Sequence, residues 1–266
     1  MNLYMDIVSI MRIGFPPGKG CDMMVSISKD DFVFVAGGGR FGMQSARIAS
    51  EGGAVTVVSD TDPECRCAKA AQRVCGSADD IDWDMHGRVQ FLLSDGPQAL
   101  EDVFARRVPS IVVPSMPGHM LGWAFAHRMR MQERECLPCP DYMEEAMARI
   151  PERLHLRSDA GDAVLVLSRM PEGMLCNDPC PQPEKCPVTG DVREMPLYRL
   201  IDKELSEIDG CGLVLHSILL SQRGGVGGIV GDDLHDALEL ACACHGRVAL
   251  ATSCSCHAVI NFFEVE

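Results

Sequence analysis

A chain of 266 residues with 47% hydrophobic and 23% charged content has the make-up of a globular protein, long enough for one large core or two smaller ones. Its formal net charge of −14 repels polyanions, and no run of Lys/Arg offsets that locally, which argues against nucleic acid as a partner. The longest apolar runs, such as GLVLHSILL, fall well short of the roughly 18 residues that span a bilayer, so a cytoplasmic protein without membrane insertion is expected. Residues 1–30 carry Met1, Met5, Met11, Met23 and Met24 around PPGKG and hold no sustained period, which reads as a tail or an extra edge. GFPPGKG is not a phosphate loop, because Gly20 stands where a magnesium-holding Ser/Thr is needed.

From Asp31 strands and helices alternate: FVFVA, a helix to Glu51 stopped by Gly52-Gly53, AVTVVSD, a helix from Pro63 to Gly76, VQFLL, a helix opened by Pro97, and SIVVPS. Such alternation predicts a parallel sheet. The rhythm breaks between residues 132 and 160, where prolines and charges accumulate. The expected fold class is therefore α/β, with a Rossmann-like domain over residues 31–135 and a smaller cysteine-rich α/β domain over 136–266. In the second part AVLVLS, GLVLHSILL and RVALATS read as strands and LHDALELAC as a helix. QRGGVGGIVGDD reads as a loop over a ligand, with Asp232 and Asp233 disfavouring an anion at the helix that follows.

Gly37, Gly39 and Gly42 form G-x-G-x-x-G between a predicted strand and a predicted helix. The first glycine permits the tight turn, the second lets backbone approach a pyrophosphate, and the third lets the helix pack closely on the strand. Asp60 ends the second strand, eighteen residues after Gly42, where a carboxylate accepts both ribose hydroxyls and repels a 2′-phosphate. NAD is thus expected over NADP. Arg40 either adds positive charge near the phosphates or is a plain surface arginine.

The stretch GGGRFGMQSARIASEGGAVTVVSDTDPE, extended by LLSDGPQAL, resembles the NAD-binding N-terminal module (TrkA-N type) of Trk potassium-uptake regulators over about residues 31–115. In that family a Gly-Asp-Ala turn follows the third strand, with its Asp on the adenosine side. The resemblance implies that Asp95, in Ser94-Asp95-Gly96, holds that place. The candidate nucleotide-facing set is then Gly37, Gly39, Arg40, Phe41, Gly42, Asp60 and Asp95. A weaker similarity, in GGG and AVTVV, is to siroheme synthases, which use NAD to oxidise a tetrapyrrole. Their catalytic Asp follows the later strand, where this chain reads SIVVPSMPGHM without a carboxylate.

His119 lies just past the fourth predicted strand, at the edge where open α/β sheets place ligands. It is a candidate general acid or base, against the plain alternative of a solvent-facing residue at a helix start. Fourteen cysteines in a chain without a secretory signal favour metal ligation or reduced thiols over disulfides. On a helix Cys65 and Cys67 would stand about 200° apart, so Cys65, Cys67 and Cys75 are not a cage, and Cys242 and Cys244 fail likewise. Cys136 and Cys139 form a C-x-x-C without a thioredoxin-like context. Cys176, Cys180 and Cys186 sit in CNDPCPQPEKC, whose prolines forbid regular hydrogen bonding, so another force must order it. A zinc ion or iron–sulfur cluster completed by Cys254, Cys256 or His257 would do so; strand alternation is expected to turn Cys254 and Cys256 to one face. Ordinary reduced cysteines are the alternative.

Two functions stay open at this level. One is an NAD-dependent redox protein acting on a small substrate. The other is a non-catalytic regulatory NAD-binding protein, as the Trk resemblance implies. Substrate, pathway and any homo-oligomeric state are not legible.

Overall fold

A computed structural model of the protein describes residues 25–174, 176, 180, 182–220 and 226–266. The segment read as a tail lies outside these up to residue 24, and so does GFPPGKG. The first half runs β1 (Phe32–Ala36), α1 (Arg40–Glu51), β2 (Val55–Asp60), α2 (Arg66–Ala70), β3 (Arg73–Cys75), β4 (Arg88–Leu93), α3 (Gly96–Phe104) and β5 (Ile111–Pro114). There follow α4 (Met120–Met131), β6 (Cys136–Pro138), α5 (Pro140–Arg149), β7 (His155–Asp159), β8 (Val164–Ser168) and α6 (Leu197–Leu205). The chain ends with β9 (Cys211–His216), β10 (Ile218–Leu219), β11 (Gly227–Val230), α7 (Gly231–Ala243), β12 (Gly246–Ser253) and β13 (His257–Val265).

FVFVA is buried along its whole length, as a strand covered on both faces must be, and β1 is the middle of a sheet ordered β10-β11-β5-β1-β2-β4-β3. The five strands from β5 to β3 run parallel, and β10 and β11 close the sheet antiparallel. The predicted α/β class is therefore present, in a mixed rather than purely parallel sheet. A second sheet is ordered β7-β8-β13-β12-β9, with β6 on the edge of β13.

Four local expectations change. The helix predicted from Pro63 to Gly76 is only α2, because the Gln72 N–H donates to Val89 O and Val89 N–H to Gln72 Oε1, which pulls residues 73–75 into the sheet as β3. GLVLHSILL is not one strand. It leaves the second sheet after His216 and enters the first at Ile218, and at the crossing the Ser217 N–H donates to Ser253 O. Of QRGGVGGIVGDD, residues 221–225 lie outside the described residues and 227–230 are strand β11 rather than a loop over a ligand; a Cβ on Gly228 would lie 2.8 Å from Ile111 Cγ2, so close packing explains that glycine. The last strand, HAVINFFEV, is the spine of the second sheet and was not anticipated.

Five layers result. Helix α1 covers one face of the first sheet through Ala46 and Ala49 against Val33, Val35 and Val58. The other face shares one continuous core with α3, α4, α7 and the inner face of the second sheet, joining Phe32 and Phe34 to Leu121, Phe125, Leu238, Leu250 and Phe263. The outer face of the second sheet is covered by α5 and α6 through Tyr142, Ala146, Ile201 and Leu205. The boundary expected near residue 135 therefore does not separate two cores: strands from the second half complete the first sheet.

In the shared layer, Arg128 of α4 is 8% exposed. Its Nε and Nη2 meet both oxygens of Glu101 on α3 at 3.0 Å, and its Nη1 reaches Glu239 on α7 at 2.7 Å. A buried guanidinium is tolerable only with this pairing. Arg128→Met is expected to destabilise the fold by about 3 kcal/mol, because it strands the Glu101 carboxylate, whereas Glu239→Gln, on a side chain 61% exposed, should cost under about 1 kcal/mol. Urea unfolding of both variants checks the contrast.

Candidate functional site

Where β1 ends, Gly37 adopts φ +105°, and a Cβ there would meet Ser115 C and O at 2.7 Å, so the first glycine lets the turn pass beneath the β5–α4 loop. A Cβ on Gly42 would lie 1.8 Å from Gly37 O, which makes the third glycine the contact of helix on strand. Gly39 differs. It is the N-cap of α1 with φ −73°, and an added Cβ would meet nothing within 4 Å. Among the described residues no side chain caps α1, and its first turn carries no acid, so the N–H groups of that turn are left for another acceptor. This turn sits at the carboxyl ends of β1 and β5, where the chain reverses its direction of travel across the sheet.

Asp60 reaches the same turn. Its Oδ2 accepts the Gly38 N–H at 2.6 Å and its Oδ1 the Asp62 N–H at 2.9 Å. The Cys67 N–H donates to Gly38 O at 3.1 Å, so the segment after β2 is fastened across the middle of the glycine turn. Each carboxylate oxygen keeps a lone pair beyond these bonds. Arg40 and Phe41 are exposed, with the guanidinium 5.8 Å from the ring centroid. Asp95 is exposed at the N-cap of α3, and the next residue, Gly96, abuts Met116 of the β5–α4 loop.

His119 is not at the solvent edge. It is 5% exposed, with Nδ1 2.7 Å from Asn261 Oδ1 and Nε2 3.0 Å from Thr252 Oγ1. An amide oxygen only accepts, so Nδ1 carries the proton and Nε2 accepts from the threonine hydroxyl. Burial pushes the imidazole down to about 4, against the opposing pull of the Asn261 bond. With both nitrogens committed, the geometry is that of a tie between α4 and the strands β12 and β13, instead of the general acid or base expected from its position.

Cys254 and Cys256 do not alternate along a strand; they lie in the turn between β12 and β13. Cys254 Sγ accepts N–H groups from Cys256 at 3.4 Å and His257 at 3.3 Å, and lies 3.8 Å from His257 Nδ1. Cys186 Sγ accepts the Thr189 N–H at 3.5 Å, and bonds from Thr189 and Val188 hold that thiol below its ordinary range. Burial pushes Cys176 up, with Cys180, Cys186 and Cys254 adding to the shift. Burial, then Cys254, pushes Cys256 up to about 12, while Arg193 Nη1 donates to its sulfur. As placed, no group of three or more His, Cys, Asp or Glu among the described residues could hold a metal ion. Residues 177–179, which connect Cys176 to Cys180, and the flanking residues 175 and 181 lie outside the described residues.

Of the remaining thiols, Cys65 is the N-cap of α2 and accepts the Ala68 N–H, and Cys67 is buried and pushed up to about 12 by that burial. Cys136 joins β6, whereas Cys139 caps α5 and contacts Glu264, so C-x-x-C is not one unit. A thiol pair that spacing could not reveal is Cys211 with Cys244, which share a hydrogen bond of 2.6 Å across 33 residues.

A depressed histidine binds fewer protons in the folded than in the unfolded chain between about pH 4 and 6.5, so its contribution is complete above that window and is lost as pH falls through it. Acidification from pH 7.5 to 5 should remove about 2 kcal/mol through His119. His119→Gln should flatten the pH dependence by that amount; urea unfolding at both pH values reads it, and an unchanged slope would exclude the neutral, buried imidazole.

Among the described residues no helix is long and apolar enough to cross a membrane. No solved structure matches the chain. An "Uncharacterized protein" of Archaeoglobus fulgidus (strain ATCC 49558 / DSM 4304 / JCM 9628 / NBRC 100126 / VC-16) is 24% identical over 227 residues, covering 85% of this chain and 96% of that protein. The family profile AF_1314_C, described as "Uncharacterized protein, C-terminal domain", matches residues 120–266, from the first residue of α4 through both strands that complete the first sheet and all of the second. Because that match spans more than half of its length, the chain belongs to the AF_1314_C family.

Proposed function

We propose that the protein binds NAD(H) at the glycine turn and exchanges electrons between the nucleotide and a small substrate in the reducing cytoplasm. The observation that carries the reading is the space over Gly39. Gly37 and Gly42 are explained by packing within the chain, but among the described residues nothing lies within 4 Å of a Cβ added at Gly39, and a pyrophosphate is what such a clearance beside uncapped helix N–H groups suits. The resemblance to the TrkA-N type module supports the same reading. When bound, the nucleotide supplies the hydride chemistry. The chain's own part is to seat it: the first turn of α1 towards the phosphates, Asp60 towards the ribose, and Asp95 on the adenosine side.

The same proposal includes a metal held by Cys176, Cys180 and Cys186, with Cys254, Cys256 or His257 as the remaining donor. Backbone N–H groups aimed at the sulfurs of Cys186 and Cys254 support it, since such bonds stabilise thiolates. The described placement does not form a cage, and no step of the chemistry is routed through one. A second reading is regulatory: β10 and β11 come from the second half and complete the sheet that carries the glycine turn, so nucleotide occupancy could bias the packing of that half without any reaction.

Calorimetric titration of the full chain should show NAD(H) binding more tightly than NADP(H). Gly39→Val should abolish binding with no loss of thermal stability, because its side chain meets only the ligand. Asp60→Asn should narrow the NAD/NADP gap, because it removes the charge that repels a 2′-phosphate. Equal affinities in the parent would remove the assignment of Asp60, and no binding of either nucleotide, or binding undiminished in Gly39→Val, would end the nucleotide reading of the glycine turn. NADH oxidation by ferricyanide separates the redox from the regulatory form. Elemental analysis after anaerobic preparation should find metal that drops in Cys180→Ser and persists in Cys139→Ser; a metal-free, stable parent would return these residues to ordinary thiols.

A further inference from the structure

The chain has 38 acidic against 24 basic residues, so an arginine buried away from water has carboxylates available to it. Arg106, Arg128, Arg149 and Arg247 all have one within 4.0 Å. Exposed arginines can be left to water, but beside the β12–β13 turn a buried one has, among the described residues, no carboxylate partner. A cavity of about 470 Å³ is lined by Arg153, Arg169 and Arg193, and among the described residues none of the three forms an ion pair.

Arg193 is 8% exposed, and its Nη2 is buried without a hydrogen-bond partner; its other bonds go to Glu184 O and Cys256 Sγ. Arg169 gives Nη2 to Met195 O at 2.6 Å and keeps a buried Nε without a partner. A buried N–H left unmade is destabilising, and a charged one more so, so two in one cavity need an acceptor. Among the described residues Asp191 lines the same cavity as its one acidic side chain; its charge reaches Arg169, but it forms no ion pair within 4.0 Å with either arginine. The walls add Leu154, Met170 and Val192 as apolar surface. The volume is that of sites for small metabolites.

We propose that this cavity binds a small anionic metabolite by its carboxylate or phosphate oxygens, held by Arg193 and Arg169, with Arg153 at the exposed side. Guanidinium forks match both oxyanions. Cys186 and Cys256 line the same cavity, so a bound anion would sit beside the thiol cluster. Nothing in this inference uses the glycine turn, and it stands or falls apart from nucleotide binding.

The test titrates the full chain calorimetrically with inorganic phosphate and with succinate, each against potassium chloride of equal ionic strength, and repeats both in Gly39→Val. Saturable heat from phosphate alone assigns a phosphate group, from succinate alone a carboxylate, and from both a general oxyanion site. Each supports the proposal, and each should persist in Gly39→Val. Arg169→Gln should weaken binding about tenfold or more while leaving thermal stability equal or higher, because it removes a like charge from beside Arg193. That split marks a ligand-binding arginine, since a structural one would lose stability instead. No saturable heat from either anion, or affinity unchanged in Arg169→Gln, would overturn the site.

Discussion

Helix α4 is buried from two sides at once, and the rest of the architecture follows from how that burial is made tolerable. Leu121 and Phe125 belong to the core beneath the first sheet, and Phe125 also meets Phe263 of the second sheet at 5.2 Å between ring centroids. A helix in that position has little solvent-facing side on which to place a charge, yet it carries Arg128. The guanidinium is kept because Glu101 and Glu239 arrive from the helices on either side, so one side chain fixes the spacing of α3, α4 and α7. Apolar packing alone is non-directional and would let three helices slide between two sheets; the fork-to-carboxylate geometry restricts them to one register.

That fixed layer positions the sites. The N-terminus of α4 brings His119 to Thr252 and Asn261, the ends of β12 and β13 follow, and the turn between those strands delivers Cys254 and Cys256. The arginine cavity is then built against that turn by the segment that precedes α6 and by the end of β8. The glycine turn has a different origin. Its geometry is set by β1, α1 and the close approach of Ser115, which are local to the first sheet.

This difference explains what could be read from the sequence. Gly37 and Gly42 were legible because a positive φ at the strand end and a close helix–strand contact are needs set within a few residues, and FVFVA was legible because a fully buried parallel strand is apolar throughout. The burial of His119 was not legible because its partners lie 133 and 142 residues away, and nothing near it in the chain announces an amide and a hydroxyl. GGVGGIV looked like a mobile loop because glycines weaken a strand pattern; here the absent side chain lets β11 lie against Ile111. GLVLHSILL looked like one strand because a change of sheet at Ser217 leaves the hydrophobic run unbroken. Arg153, Arg169 and Arg193 each resemble a surface arginine in sequence, and only the fold shows that they share a cavity in which no carboxylate forms an ion pair with them.

The same contacts link the glycine turn to the cysteine turn. Gly37 lies against the backbone of Ser115 and Met116, four residues before His119, whose Nε2 accepts from Thr252. Ser253, the next residue, accepts the Ser217 N–H at the crossing between the sheets, and its hydroxyl donates to Cys254 O. The β5–α4 loop is therefore joined to the base of the β12–β13 turn through hydrogen bonds with defined donors and acceptors. Such continuity is a route for coupling and not a measure of it. Its physical content is that the two halves of the chain, which share one core, also share one polar thread, and that the thread passes within two residues of Cys254.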